Sequence, residues 1–230
     1  MSYVSTREHG SGVAVLSVDR PPANAMDLTL LDEIVAAVAP LAAKPPHALV
    51  LTGRPGFFSA GVDLKLTPTY GPDERRRMVA AINAMALAVY ELPCPVVGAI
   101  TGHAVAGGLV LALCTDVRVA STAGRYGLTE VEVGIGYPQA AIGVVRAELA
   151  PHAARRLSLG ADLVSAADCA RLGVFDELAE PDDVEPRAIE WATSLGAFPR
   201  EVYALTKREL RAETAASLRA AAATDPLLDV

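Results

Sequence analysis

Two hydrophobic patterns alternate along the first half of the chain. Short, continuous apolar runs predict buried strands, because both faces of such a strand need covering. These runs lie at 13–18, 48–51, 96–100 and 117–120. Between them, 28–43 and 73–90 predict helices, the second with Met78, Ile82 and Met85 on one face. Strands separated by helices pair in parallel through crossovers, so the predicted fold class is α/β.

The second half of the chain predicts one helix after another. Residues typical of helix starts and ends bracket two of them, Pro151 with Gly160 and Ser165 with Gly173. A last helix spans about 200–223.

The expected division of the chain is a core domain at 1–195 and a C-terminal helical segment for oligomerisation at 196–230. The acidic, proline-containing piece 180–186 predicts a surface loop within the first of these. There is no internal repeat and no low-complexity linker in the sequence.

Composition excludes several classes of protein. With 230 residues, 52% of them apolar, the chain has ample material for one core. Its formal net charge of −7 argues against the broad basic surface of a nucleic-acid binder. The three cysteines lack C-x-x-C spacing and indicate buried thiols in a reducing compartment. The first ten residues carry charges and no apolar signal core, so the expected location is cytoplasmic.

One stretch has the length and the lack of charge that a membrane-spanning segment needs. Residues 92–115 include no Asp, Glu, Lys or Arg and are numerous enough to cross a bilayer. Their prolines and glycines favour a strand, a turn and a helix start, so no span is expected. The histidines have no metal-ligand spacing, so no metal is expected either.

Two glycine-containing loops follow predicted strands. In the first, Ser59, Ala60 and Gly61 are small and allow another molecule to approach the backbone, although an ordinary turn has the same composition. In the second, Gly107 and Gly108 open an apolar helix. Amides at a helix start are unpaired and suit a developing oxyanion. Neither the dinucleotide-binding nor the P-loop glycine spacing is present.

Taken together and in this order, these segments resemble the crotonase superfamily, the enoyl-CoA hydratase/isomerase family. The matching pieces are 58–65 and 101–108, closed by Asp116 and Arg118, with 20–26 similar to a CoA-side loop and 127–135 to a catalytic glutamate segment. The resemblance implies a crotonase-like (ClpP/crotonase) ββα spiral core with a helical C-terminal region. It also implies trimers or dimers of trimers.

The family's site residues carry over position by position. The resemblance implies that the backbone amides of Val62 and Gly107 bind the thioester oxygen and that Glu130 is the acid/base. It further implies CoA contacts, and the residues concerned are Arg20, Ala23, Ala60, Asp63, Leu64, Lys65 and Lys207. Coenzyme A is then part of an acyl-CoA substrate, and no separate cofactor is expected.

One departure from the family pattern bears on the reaction. Hydratases of the family carry a second glutamate where this chain has Val110, and valine cannot hold or deprotonate water. A single carboxylate suits Δ3-Δ2 enoyl-CoA isomerisation, in which one group is base and then acid. Hydration by Glu130 alone and a non-catalytic acyl-CoA binder remain alternatives. Glu132 is a rival to Glu130, since an extended segment places both on one face.

A hydrolytic triad is a further alternative, because the fold is shared with some serine peptidases. Ser59, His103 and Asp116 supply the residue types. However, the sequence around Ser59 lacks the G-x-S-x-G elbow, since Phe57 occupies the first glycine position.

Overall fold

The computed structural model describes residues 2–228, which form strands and helices in alternation. The strands are β1 (Val4–His9), β2 (Val13–Val18), β3 (Ala48–Thr52), β4 (Gly56–Ser59), β5 (Val96–Ile100), β6 (Gly102–Val105), β7 (Val117–Ser121), β8 (Arg125–Gly127), β9 (Val164–Ser165) and β10 (Glu177–Ala179). The helices are α1 (Leu28–Ala43), α2 (Pro72–Tyr90), α3 (Gly107–Leu113), α4 (Gln139–Glu148), α5 (Pro151–Gly160), α6 (Ala166–Arg171), α7 (Val184–Gly196) and α8 (Arg200–Ala223).

The strands form two sheets that share a repeating unit. The larger sheet has the order β1-β2-β3-β5-β7-β10, in which only β1 pairs antiparallel. The smaller sheet has the order β4-β6-β8-β9. A strand of the larger sheet is followed by one of the smaller sheet and then by a helix, three times over, as β3-β4-α2, β5-β6-α3 and β7-β8-α4. The predicted α/β class is confirmed.

The larger sheet is covered on both faces, as a parallel sheet requires. Alternate side chains of β2 and β3 point to opposite sides: Leu16 and Leu51 join the main core beneath α1 to α4. Val15 and Val50 join a second cluster, which α7 covers. Continuous apolar runs, and not alternating ones, are therefore the correct signal for these strands.

The apolar patterns predicted the long elements accurately. The strands at 13–18 and 96–100 and the helices at 28–43 and 200–223 have the predicted bounds, and the second helix begins one residue before 73. The short strands of the smaller sheet were not predicted, whereas α4 and α7 agree with the helices expected after Pro138 and around Trp191.

The prediction of a surface loop at 180–186 is wrong in its second half. A 3-10 turn at Pro181–Asp183 leads directly into α7, which begins at Val184. Pro186 lies in the first turn of this helix, where a backbone N–H has no partner within the helix, so proline is tolerated there.

The C-terminal segment packs onto the core of its own chain. Helix α8 contacts α4 and α2, and Leu218 is buried in the main core. Its role in oligomerisation, and the boundary at 195, stay predictions. No helix within residues 2–228 has the length and hydropathy of a membrane span, and 92–115 fold into β5, β6 and α3.

A buried ion cluster attaches α8 to the sheet. Asp116 accepts hydrogen bonds from Lys207 Nζ at 2.8 Å and from the backbone N–H of Val96 at 2.8 Å. Its other oxygen lies 3.1 Å from the Arg211 guanidinium. The carboxylate is therefore the shared partner of two cations that the fold has removed from water.

We expect Asp116→Ala to destabilise the fold strongly, because it leaves the Lys207 ammonium buried without a counter-charge. Breaking a buried pair in this way costs about 3–5 kcal/mol, measurable as a change in the free energy of unfolding in urea. Glu209→Ala is the control, since its pair with Arg208 is exposed and is worth less than about 1 kcal/mol. Equal losses in the two variants would contradict a structural role for this cluster.

Candidate active site

Two backbone loops meet at Gly61. This glycine follows β4 and has a φ of +76°, a conformation that side-chain-bearing residues rarely adopt. A Cβ atom at this position would lie 2.7 Å from the Val105 carbonyl oxygen and 3.2 Å from the Gly107 nitrogen. Only glycine therefore permits the 60–63 loop to pack against the start of α3, which brings the segments containing residues 62 and 107 together.

The amides of Val62 and Gly107 are unpaired where the loops meet. Met26 N–H donates to the Gly61 carbonyl at 2.7 Å, and Asp63 N–H donates to the Met26 carbonyl at 2.9 Å. Those bonds occupy the Gly61 carbonyl and the Asp63 N–H, which are the backbone groups on either side of the Val62 N–H. Within residues 2–228, neither the Val62 nor the Gly107 N–H donates to a protein acceptor. The arrangement provides two backbone donors for a ligand oxygen.

Backbone strain accompanies the second amide. Ala106, directly before Gly107, has φ 51° and ψ −125°, a region that is unfavourable for a residue with a Cβ atom. Its N–H donates to the Gly127 carbonyl at 2.8 Å, which anchors the strained residue to β8. The strained residue thus directly precedes an unpaired amide, and backbone strain is common at functional sites.

Asn24 connects the 20–26 segment to the first loop. Its side chain is fully buried, with Oδ1 accepting from Arg20 N–H at 2.7 Å and Nδ2 donating to the carbonyls of Val18 and Phe58 at 2.8 and 3.0 Å. Ser59 Oγ completes the connection by donating to the Asn24 carbonyl at 2.7 Å. The loop around Gly61 is thus held from both sides.

Glu130 is the buried carboxylate of the site. It follows β8, which pairs in parallel with β6, so Glu130 and Gly107 both lie beyond the carboxyl ends of neighbouring strands. Its side chain is only 7% exposed. Burial raises the pKa of Glu130 above its ordinary value, and this effect exceeds the opposing influence of the nearby Tyr137 hydroxyl and of its own backbone. Glu132 is exposed, which favours Glu130 of the two rivals.

Three buried side-chain oxygen atoms, one of them on Glu130 itself, have no hydrogen-bond partner. Glu130 Oε2, Tyr137 Oη and Ser158 Oγ are each buried, and none makes a hydrogen bond of normal geometry within the described residues. Glu130 and Ser158 are nonetheless near enough to affect the pKa of the Tyr137 hydroxyl. Burial, together with the Glu130 charge, raises that pKa.

A family model described as enoyl-CoA hydratase/isomerase matches residues 8–228, which is most of the chain. The match covers both amide-bearing loops and the buried glutamate. The chain belongs to the enoyl-CoA hydratase/isomerase family. The predicted membership of the crotonase superfamily is thereby confirmed.

Curated relatives in the family carry two different activity names. The probable enoyl-CoA hydratase EchA17 of Mycobacterium tuberculosis is 32% identical over 205 residues, covering 89% of this chain and 78% of the relative. The human mitochondrial enoyl-CoA delta isomerase 1 is also 32% identical, over 214 residues, covering 91% of this chain and 70% of the relative.

Solved structures of the family share the fold. A crystal structure of the probable enoyl-CoA hydratase EchA3 of M. tuberculosis has a TM-score of 0.89 at 31% identity, covering 95% of this chain and 92% of that one. The human mitochondrial delta3-delta2-enoyl-CoA isomerase has a TM-score of 0.90 at 29% identity, covering 99% and 89%. The predicted crotonase-like fold with a helical C-terminal region is confirmed.

The candidate CoA-side residues near the amides differ in whether they are paired within the protein or exposed to a ligand. The Arg20 guanidinium pairs with Asp63 at 3.0 Å and with Asp27 at 2.9 Å, so it links the loops of its own chain. Burial opposes ionisation of Asp63, but hydrogen bonds from Arg20 and from the amides of residues 65 and 66 lower its pKa overall. Leu64 and Lys65 are exposed beside this pair, where a ligand can reach them.

Ala23 and Ala60 are both half-buried, and one hydrogen bond joins them. The Ala60 N–H donates to the Ala23 carbonyl at 3.0 Å. The amide of residue 60 is therefore used within the protein, whereas its carbonyl oxygen is not an acceptor for any backbone N–H in the described residues.

Lys207 lies apart from the other candidates. Its buried ammonium contacts Asp116 and the Cys94 carbonyl, next to the amino ends of β7 and β5. Arg20 follows the carboxyl end of β2, which is parallel to those strands, so the two cations lie at opposite edges of the sheet. Within one chain, this arrangement gives no support to the prediction that Lys207 binds the CoA phosphates.

The residues of the alternative hydrolytic triad each have other partners. Ser59 Oγ donates to the Asn24 carbonyl, and His103 Nδ1 accepts the backbone N–H of Arg125 at 3.1 Å. Asp116 belongs to the ion cluster beneath α8. No hydrogen bond connects these three side chains among the described residues, so the site does not have the geometry of a serine hydrolase.

The sequence analysis did not assign a role to several residues near the site, and only some of them had a recognisable sequence signal. Asn24 carried one, since asparagine in a short loop often adopts a positive φ, here 50°. Tyr137 follows the glutamate segment, so the sequence indicated either a wall of the acyl site or only a helix start. Ser158 carried no signal, because it lies in a different segment of the chain. Ala106 resembles an ordinary small residue until its backbone angles are known.

We expect Ala106→Gly to stabilise the protein. The strained conformation costs about 1–3 kcal/mol, whereas the added freedom of glycine in the unfolded chain costs about 0.4–1 kcal/mol, which leaves a gain of about 1 kcal/mol. Urea denaturation of both proteins measures it. Ala112→Gly, within the regular part of α3, is the control and should lose about 1 kcal/mol. A similar loss in both variants would show that Ala106 is not strained.

We also expect Glu130→Gln to stabilise the fold, increasingly so as the pH rises. A carboxyl whose pKa is raised by folding contributes stability below its unfolded pKa, near 4.5, and loses it as the pH rises through the folded value. The neutral amide has no such loss. Free energies of unfolding across this pH range should therefore diverge above about pH 4.5, whereas Glu132→Gln, which removes an exposed carboxyl, should follow the wild type.

Proposed function

We propose that this protein is a Δ3-Δ2 enoyl-CoA isomerase. In this proposal the Val62 and Gly107 amides bind the thioester oxygen. Glu130 removes a proton from C2 of a 3-enoyl thioester, and the C–H electrons pass into a dienolate held at those amides. The protonated carboxyl then returns the proton at C4. The observation that carries the proposal is the buried carboxylate of Glu130 beyond the same sheet edge as the unpaired amide of Gly107.

The oxyanion donors and the acid/base would each contribute to the rate by an amount typical of such groups. Each pre-aimed oxyanion donor typically contributes about 2.7–4 kcal/mol to transition-state stabilisation. A positioned acid/base contributes about 10²–10⁴-fold in rate. The raised pKa of Glu130 supports its role, because a base that must also return the proton needs a pKa closer to neutrality.

Isomerisation is favoured over hydration because the neighbouring helix supplies no second carboxylate. Val110 is fully buried on α3 and offers no group for holding water. The alternative, hydration of a 2-enoyl thioester by Glu130 alone, is supported by relatives that are named probable enoyl-CoA hydratases. The CoA moiety is assigned in this proposal to the exposed surface at Leu64 and Lys65, next to the paired Arg20 and Asp63.

Assembly into trimers or dimers of trimers is part of the same proposal. Helix α8 exposes apolar side chains at Val202 and Leu210, which are 59% and 81% exposed in the single chain. Large apolar side chains on one exposed helix are typical of surfaces that are covered in an oligomer.

We expect Glu130→Gln to abolish turnover and to keep ligand binding. Proton exchange at C2 of a 3-enoyl-CoA ester in heavy water should fall by at least about 10²-fold, because the only acid/base has been removed. Calorimetric affinity for the same ester should change little. Glu132→Gln is the matched control and should exchange at the wild-type rate, since that side chain faces solvent.

Three other outcomes would change the assignment. Full activity in Glu130→Gln would refute the role of this residue. Conversion of a 2-enoyl ester to its 3-hydroxy product, without isomerisation, would favour the hydratase. Tight binding of both esters with no exchange by the wild type would identify a non-catalytic acyl-CoA binder.

A further inference from the structure

Glu130 and two other side chains, Tyr137 and Ser158, each have a buried oxygen atom without a hydrogen-bond partner. Glu130 and Ser158 are each 7% exposed, and Glu130 Oε2, Tyr137 Oη and Ser158 Oγ all lack a hydrogen bond within the described residues. Buried polar groups are almost always paired, and an unpaired one costs folding free energy. Three orphans in one place therefore require a common explanation.

Tyr137 is the member of this group that interacts with both of the others. Both the Glu130 carboxylate and the Ser158 hydroxyl act on Tyr137, the first as an acceptor and the second as a donor. Tyr137 follows the turn that the Ile135 N–H closes on the Glu130 carbonyl at 2.9 Å, and Ser158 comes from α5.

No charged group competes for this carboxylate. The groups that act on Glu130 are its own backbone N–H and the Tyr137 hydroxyl, and no Lys, Arg, Asp or His among residues 2–228 contributes. From α5 the facing group is Ser158, which is uncharged. The tyrosine is therefore the one side chain that can favour the ionised carboxylate over the protonated one.

We propose that Tyr137, supported by Ser158, is the positioning residue of Glu130. This rests on the function proposed above. The Tyr137 hydroxyl donates to Oε2 and holds the carboxylate in one rotamer, which leaves Oε1 to take the proton from C2. When Oε1 carries that proton, Oε2 is neutral and the hydrogen bond weakens, which assists return of the proton at C4. Ser158 donates to the tyrosine oxygen and strengthens it as a donor.

The test replaces the hydroxyl and follows the carboxylate directly. In Tyr137→Phe, the pKa of Glu130 should rise, because a hydrogen bond that favours the ionised form is lost. The acid limb of kcat/KM against pH should move upward with it, and kcat/KM should fall by about 10- to 100-fold, the range for a hydrogen bond to a charged group. Carbon-13 NMR of labelled glutamate carboxyls, assigned by the signal missing in Glu130→Gln, gives the pKa without turnover.

A second tyrosine provides the control. Tyr203 also places a partly buried hydroxyl near a carboxylate, 3.3 Å from Asp116, at a distance from the site. Tyr203→Phe should leave the pH profile and the Glu130 signal unchanged. Ser158→Ala should shift both in the same direction as Tyr137→Phe but by less, and it carries the test if Tyr137→Phe does not fold.

The outcomes separate this inference from the proposed function. An upward pKa in Tyr137→Phe with a wild type that exchanges no C2 proton supports the contact and refutes the isomerase. An active wild type whose Tyr137→Phe and Ser158→Ala variants keep the original Glu130 pKa and pH profile overturns the inference. A loss of kcat with no movement of either readout also overturns it, because a merely structural role would have that effect.

Discussion

The close approach of two backbone segments at Gly61 is the constraint on which the site depends. No side chain fits between this residue and the carbonyl of Val105, so the amides beyond it come together only if the position has no Cβ atom. The contact involves main-chain atoms alone, which makes it indifferent to the identity of residue 62. Neither unpaired N–H is then within reach of a protein acceptor, and an oxygen atom from a ligand is the natural partner. Within the described residues, the fold thus leaves two backbone N–H groups without acceptors at one point.

The repeated strand–strand–helix unit explains how distant segments reach that point. Each repeat takes the chain from the larger sheet into the smaller one, so β4, β6 and β8 lie side by side and end at the same edge. The segments that follow these strands are the two amide loops and the glutamate turn. Parallel neighbours place their carboxyl ends together, which is why residues far apart in sequence gather there. Asn24 adds a segment from outside the repeat by donating to three carbonyls of two strands, β2 and β4.

The sequence predicted the parts of this structure that have a strong local signal. Strands buried on both faces appear as continuous apolar runs, and 13–18 and 96–100 were recovered with their exact bounds. The strands of the smaller sheet are only two to four residues long, which is too short to show such a pattern. The burial of Lys207 likewise had no local signal in the sequence. A lysine on an amphipathic helix resembles any solvated cation, and only the tertiary structure reveals that Asp116 lies beneath it.

The surroundings of Glu130 show what distinguishes a site from a stable core. A buried ion pair such as Lys207 with Asp116 has its charge compensated within the protein. No cation among the described residues acts on Glu130, and the side chain that does is the Tyr137 hydroxyl. Burial without compensation destabilises the ionised form, which makes the carboxylate a stronger base than an exposed one. Replacing the family's other carboxylate position with the buried Val110 extends this apolar environment. The same desolvation that costs folding free energy therefore raises the proton affinity of this carboxylate, as the proposed role of a single acid/base requires.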